Sequence, residues 1–250
     1  MHEIKTDLKR AIYSLPFLVG LVVTAILIMM GAGSKMVFPP DAKKGLMPFY
    51  HGQLVLQGLS SNIMLMVVPI ICTLPYTTAF LDEFTSGFIK PYIMKCDKSS
   101  YIKGKVISAG VSGGLVLMIG IFGTYFLTSL IYTPMEIADP MAISPFGEVF
   151  KISLVYFVSG CFWASIGAVF ANASMSKYMA YAAPFVLYYV LVMLAERYFK
   201  GVYVINPEEW LAPENFWPGG EWGIMLFISM LTVIVMMLND IVIERRVDNL

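Results

Sequence analysis

Long uncharged stretches set the pattern of this chain. Runs free of Asp, Glu, Lys, Arg and His extend over Ala11–Ser34, Gly52–Leu81, Val106–Met135, Ile152–Ser176, Tyr178–Ala195 and Trp222–Asn239. A helix needs about 20 predominantly apolar residues to cross the hydrocarbon core of a bilayer. A charge at its centre costs about 2.5–3.5 kcal/mol, so clean runs of this length predict transmembrane helices. The expected architecture is an all-α membrane protein, one domain over residues 1–250 with six spans near 14–34, 57–80, 106–132, 152–172, 178–197 and 222–241. Only the turn around Asn172–Lys177 separates the fourth and fifth spans, which must then form an antiparallel hairpin.

Polar flanks orient the spans. An even number of spans places both ends of the chain on one side, and Lys and Arg favour the cytoplasmic side. With cytoplasmic termini, Lys5, Lys9, Arg10, Lys90, Lys95, Lys98, Lys103, Lys105, Lys177, Arg245 and Arg246 lie inside. Only Lys35, Lys43, Lys44, Lys151, Arg197 and Lys200 lie outside. Trp210, Trp217 and Trp222, with Tyr203 and Phe216, are expected at one interface as aromatic anchors. Gly31-Ala32-Gly33 resembles a signal-peptide cleavage site, but the preceding apolar stretch is long enough to span.

Two polar segments break the apolar pattern in an informative way. In Glu3–Tyr13, Ile4, Leu8, Ala11 and Ile12 share one helical face, with Lys5, Asp7, Lys9 and Arg10 elsewhere. That predicts an amphipathic helix lying in the membrane surface, either as a charged topology anchor or as a docking element. Between the second and third spans, Asp82 and Glu83 precede Phe84, Phe88, Ile89, Tyr92 and Ile93 at helical spacing. Acidic residues favour a helix N-terminus, Gly87 permits unusual backbone geometry, and Pro91 limits continuation of a regular helix. A short amphipathic element on the inner surface is expected, suited to docking a cytoplasmic partner.

Composition narrows the function. Of 250 residues, 58% are hydrophobic and 14% charged, and 17 basic residues balance 17 acidic ones. An ordinary soluble domain is about half apolar and a quarter charged, so a soluble globular protein is excluded. Disorder requires low hydrophobicity and high net charge, and nucleic-acid binding requires a basic excess. Three scattered cysteines, Cys72, Cys96 and Cys161, suggest neither a disulfide framework nor a zinc site. Charge-free spans disfavour ion-coupled transport. The phosphate-binding pattern GxxxxGK[ST] is absent, because Gly104-Lys105 precedes Val106 and has no upstream glycine. Glu208-Glu209 is the one acidic pair that stands out for an intramembrane enzyme, and solvated loop acids are the better reading of it. A membrane sensor or scaffold that docks a partner through Asp82–Met94 is a further alternative.

Within the spans, Gly110 with Gly114, Ala109 with Gly113, and Gly160 with Ala164 have the four-residue spacing that allows close helix packing. Pro69, Pro75 and Pro184 predict kinks. Eighteen methionines could line an adaptable apolar surface, although most are expected in the core or against lipid.

Glu83, Gly87 four positions on, Ser99-Ser100-Tyr101 and Gly104-Lys105 at the next span, set in this architecture, resemble the ABC-2 type permeases, membrane subunits of ATP-driven exporters. The resemblance covers nearly the whole chain. It implies that Asp82, Glu83, Phe84, Gly87, Phe88, Ile89 and Pro91 belong to a coupling helix contacting an ATPase, and that Lys105 opens the third span. It also implies a re-entrant segment between spans five and six, bearing Trp210, Phe216 and Trp217. This chain would bind no cofactor itself. ATP and Mg would sit in two separate ATPase subunits, and a second permease copy or related permease would complete the pore in a bacterial plasma membrane. The apolar spans suit an amphiphilic substrate such as a hydrophobic peptide, an antimicrobial or a lipid-like molecule, with polysaccharide as the alternative.

Overall fold

A computed structural model describes residues 2–33, 36, 45–93, 97–137, 139, 141–199 and 201–249. Lys35, Lys43, Lys44, Met94, Lys95, Cys96 and Lys200, which enter the orientation and loop readings above, lie outside the described residues. Among the described residues all regular structure is helical, apart from one isolated parallel bridge between Leu46 and Glu136. Four helical segments are long and apolar enough to cross a membrane, or up to six if two bent helix pairs each form one span.

The first bent pair is α1 (His2–Ile12) and α2 (Leu15–Gly31), inclined by 55°. Glu3 in the first turn of α1 and Lys9 and Arg10 in its last turn complement the helix dipole. Ser14 then stops it and caps α2, its hydroxyl accepting from the Phe17 N–H at 3.3 Å. Leu18, Val22, Ile26 and Met30 leave one apolar face of α2 exposed, as a lipid-facing helix requires.

The second pair is α3 (Tyr50–Leu59) and α4 (Asn62–Ile71), in the region of the span expected over 57–80 with kinks at Pro69 and Pro75. The helix breaks by 68° at Ser60-Ser61, and after Ile71 the chain turns through Pro75 before α5 (Ala79–Thr85). Ser61 caps α4 by accepting from the Met64 N–H at 3.3 Å and itself donates to the Gly58 carbonyl at 2.6 Å. The Leu59 carbonyl freed at the break accepts from the buried Tyr156 hydroxyl at 2.6 Å. An apolar environment tolerates a broken helix only where such groups find partners.

Beyond α6 (Ile89–Ile93), α7 (Lys98–Tyr132) starts eight residues before the expected third span. Asp97 explains the early start, since its carboxylate accepts from the Ser100 N–H at 3.0 Å. That bond holds the Asp97 carboxyl below its ordinary range. Next come α8 (Phe146–Ser174) and α9 (Lys177–Arg197), the expected hairpin, turned at Met175 with a left-handed φ of 54°. The short α10 (Pro207–Leu211) and the long α11 (Glu221–Asp248) complete the chain. Of the long helices, α8 is the most buried, packed by α7, α9 and α11.

Glycine sets the closest approach in this core. A side chain at Gly113 would overlap Ala164 and the Cys72 carbonyl, and one at Gly160 would meet the backbone of Gly113 and Gly114. The small-residue rows foreseen in the sequence therefore face each other across α7 and α8. Helix α1, the start of α7 and the end of α11 gather at one end of the bundle, where Lys98 pairs with Glu244 and Asp248. This is the near end; α10 and the N-termini of α3, α8 and α11 mark the far end.

Candidate functional site

At the near end the chain buries an ammonium. Lys105, two turns into α7, has a side chain only 3% exposed. Its Nζ donates to Asp7 Oδ1 at 2.9 Å, to Glu83 Oε1 at 2.7 Å and to the Tyr76 hydroxyl at 3.1 Å. All three ammonium protons thus have acceptors, the condition under which a buried charge is tolerated. The Tyr76 hydroxyl in turn donates to Asp7 Oδ1 at 2.7 Å, and Tyr101 donates to Glu83 Oε2 at 2.7 Å. The ammonium also lies 5.3 Å and 5.5 Å from the Tyr76 and Tyr101 ring centres, within cation–π range. Arg10 reaches Glu83 Oε1 at 3.4 Å from the solvent side. Two cations, Lys105 and Arg10, therefore balance two carboxylates, Asp7 and Glu83.

The network joins three parts of the chain. Asp7 and Arg10 come from α1, Tyr76 and Glu83 from the segment after α4, and Tyr101 and Lys105 from the base of α7. Gly104 lets α1 lie close, since a Cβ there would already touch Glu3 and Asp7. The amphipathic reading of α1 is corrected in one respect. Asp7 and Ala11, one turn apart, are both buried, so the acid belongs to the face packed on α7 and not to the outer polar face.

The expected coupling residues divide into two groups. Glu83 points into the network, and Ile89, 1% exposed, packs with Phe80, Tyr101, Ile102, Val106 and Ile243. Phe84 is half-buried at the edge of the same cluster. Asp82 pairs with Lys177 at the start of α9 and accepts from Thr78. Gly87, Phe88, Lys90 and Pro91 face outward. The expected single amphipathic element is two short helices, α5 and α6, because helical geometry stops at Gly87, whose φ is +73°. Tyr92 ties α6 back to α1 through Glu3 and lies against Tyr101.

A second polar cluster lies at the far end. Glu136 Oε1 accepts from the His51 backbone N–H at 2.9 Å and meets His51 Nδ1 at 2.7 Å, while His51 Nε2 lies 3.2 Å from the Tyr125 hydroxyl. Sequence reasoning missed it, because 85 positions separate the two main partners and nothing local marks them. The Glu208-Glu209 pair is also corrected. Glu209 is buried and closes its own loop, accepting from the backbone N–H groups of Glu214 and Asn215, both at 3.1 Å. Trp210 and Trp217 are core residues packed against Phe227, not interfacial anchors, whereas Phe216 and Trp222 are exposed. Among the described residues, no three His, Cys, Asp or Glu side chains converge as a metal ion would require.

No protein-family model and no curated protein matches the chain.

Proposed function

We propose that this chain is the membrane subunit of an ATP-driven exporter of the ABC-2 permease type. The observation that carries the reading is the buried Lys105 network, which fastens α1, the α5–α6 segment and the base of α7 to one another. Such a unit moves as one body. Force applied to the outward face of Gly87, Phe88 and Pro91 would reach the third span directly, through charges that are costly to separate.

In this reading each bent pair forms one span, giving six, and the near end with both termini faces the cytoplasm. Two ATPase subunits, holding ATP and Mg, dock on the exposed α5–α6 surface. A second permease copy or a related permease covers part of the apolar surface left on α2 and α9. A ligand shifts a conformational equilibrium only through contacts that differ between states, and here the changing contact is the one between the ATPase and the α5–α6 knob. The substrate is amphiphilic, in keeping with the apolar spans.

The test is capture from the native host in mild detergent. Tagged protein should bring down a soluble subunit with a GxxxxGK[ST] site, and Phe88→Glu, at an exposed position, should release that subunit without unfolding the chain. Recovery of the chain alone, or with partners lacking a nucleotide site, under conditions that preserve a known permease complex, would favour a sensor or scaffold instead.

A further inference from the structure

A cavity of about 440 Å³ opens at the far end, between the break in α3–α4, the start of α8, α10 and the start of α11. Its volume is in the range of small-molecule sites. Leu56, Ile152, Val155 and Ile224 make an apolar floor, and Trp210 closes one wall. That wall is rigid, because Trp210 is held by Phe162, Trp163 and Phe227 and donates its indole N–H to the Val204 carbonyl at 2.8 Å. Glu148, Glu214 and Glu221 stand around this floor. Lys151 approaches Glu221 only to 4.0 Å, from a side chain that is itself largely in solvent, a pairing of little energetic weight.

An adjoining pocket of about 320 Å³ shares Pro213, Glu221 and Ile224 with the cavity. Trp217 lines it, is 6% exposed, and has an indole N–H with no acceptor. That N–H lies beneath the surface, so what Trp217 offers a ligand in the pocket is apolar ring.

We propose that these joined pockets bind an amphiphilic amine: an apolar body on the floor and against the Trp217 ring, with an ammonium among Glu148, Glu214 and Glu221. The local field agrees, since Glu208 nearby is raised by burial and by Glu196 and Glu214. The proposal names the chemistry of the cargo and rests on the permease reading for transport, whereas binding belongs to this chain alone.

The test uses the full chain, without partner, in nanodiscs of zwitterionic phosphatidylcholine. The probe is dansylcadaverine, which carries an amine and an aromatic body. Saturable energy transfer from tryptophan to dansyl is expected. N-acetylation of the probe amine, or the combined Glu148→Gln, Glu214→Gln and Glu221→Gln changes, should weaken binding at least tenfold. Glu214→Lys, at an exposed position, gives the same loss should the triple variant not fold. Displacement by a lysine-bearing hydrophobic peptide points to peptide cargo, and displacement by octadecylamine to a lipidic one. Equal affinity for the acetylated probe, or unchanged binding in Glu214→Lys, overturns the site. Capture of an ATPase by a chain that binds no amine overturns this inference and leaves the permease reading standing.

Discussion

Lys105 Nζ meets Glu83 Oε1 at 2.7 Å across 22 positions of sequence, and the same ammonium holds Asp7 at 2.9 Å. A single buried cation thus closes three segments. Breaking a buried pair by removing one partner leaves the other charge uncompensated, a loss of about 3–5 kcal/mol. Lys105→Met should therefore destabilise strongly. Asp7→Asn should cost less in the Lys105→Met background than in the native chain, by about 1–3 kcal/mol of coupling. Unfolding of the four chains in mixed micelles measures the cycle, and strict additivity would show that the pair does not act as a unit.

Gly87 sits at φ +73° with open space where a side chain would go. Any substitution there meets backbone strain but no clash. Gly87→Arg should cost about 1–2 kcal/mol, the left-handed penalty of an L-residue, and Gly87→Asn less, because asparagine tolerates that conformation. Both variants should keep helix content by circular dichroism. If the permease reading holds, the bulky arginine, unlike asparagine, abolishes ATPase capture.

Hydropathy made the apolar helices legible, because burial in lipid demands the same composition along every span. It could not show the 68° break at Ser60-Ser61. Uncharged serines leave a run looking continuous, and the partner that makes the break tolerable, Tyr156, lies 97 positions away. The near-end network was half legible. Glu83 and Lys105 drew notice through their motif, but Asp7 read as a surface acid because helical periodicity places a residue on a face without saying what covers it. Glu209 failed for a similar reason. Its partners are two backbone N–H groups and the Asn215 side-chain amide, all within its own loop, and no residue-type pattern announces those.

Close packing of α7 on α8 predicts a contrast within one helix. At Gly114 an added Cβ would overlap the Phe157 carbonyl and Cys161 Sγ, whereas at Gly123 it meets nothing within 4 Å. Gly114→Val should destabilise by about 1–3 kcal/mol or more, the cost of overpacking. Gly123→Val should stay near neutral. Thermal unfolding of both variants in the same detergent checks this, and equal effects would remove close helix contact as the role of Gly114.

Glu208 gives a pH dependence of definite sign. Burial, then the neighbouring charges of Glu196 and Glu214, raise its carboxyl above the ordinary value. A raised folded-state value means that the folded chain holds the proton more tightly than the unfolded one. The group's contribution to stability is then fully present below the unfolded pKa of about 4.3 and is lost as pH rises through the folded value. Glu208→Gln removes this titration. The variant should unfold at a higher temperature than the native chain at pH 7.5, and the gap should close as both are taken toward pH 4. A gap that is constant with pH would mean that glutamine acts there by packing and not by charge.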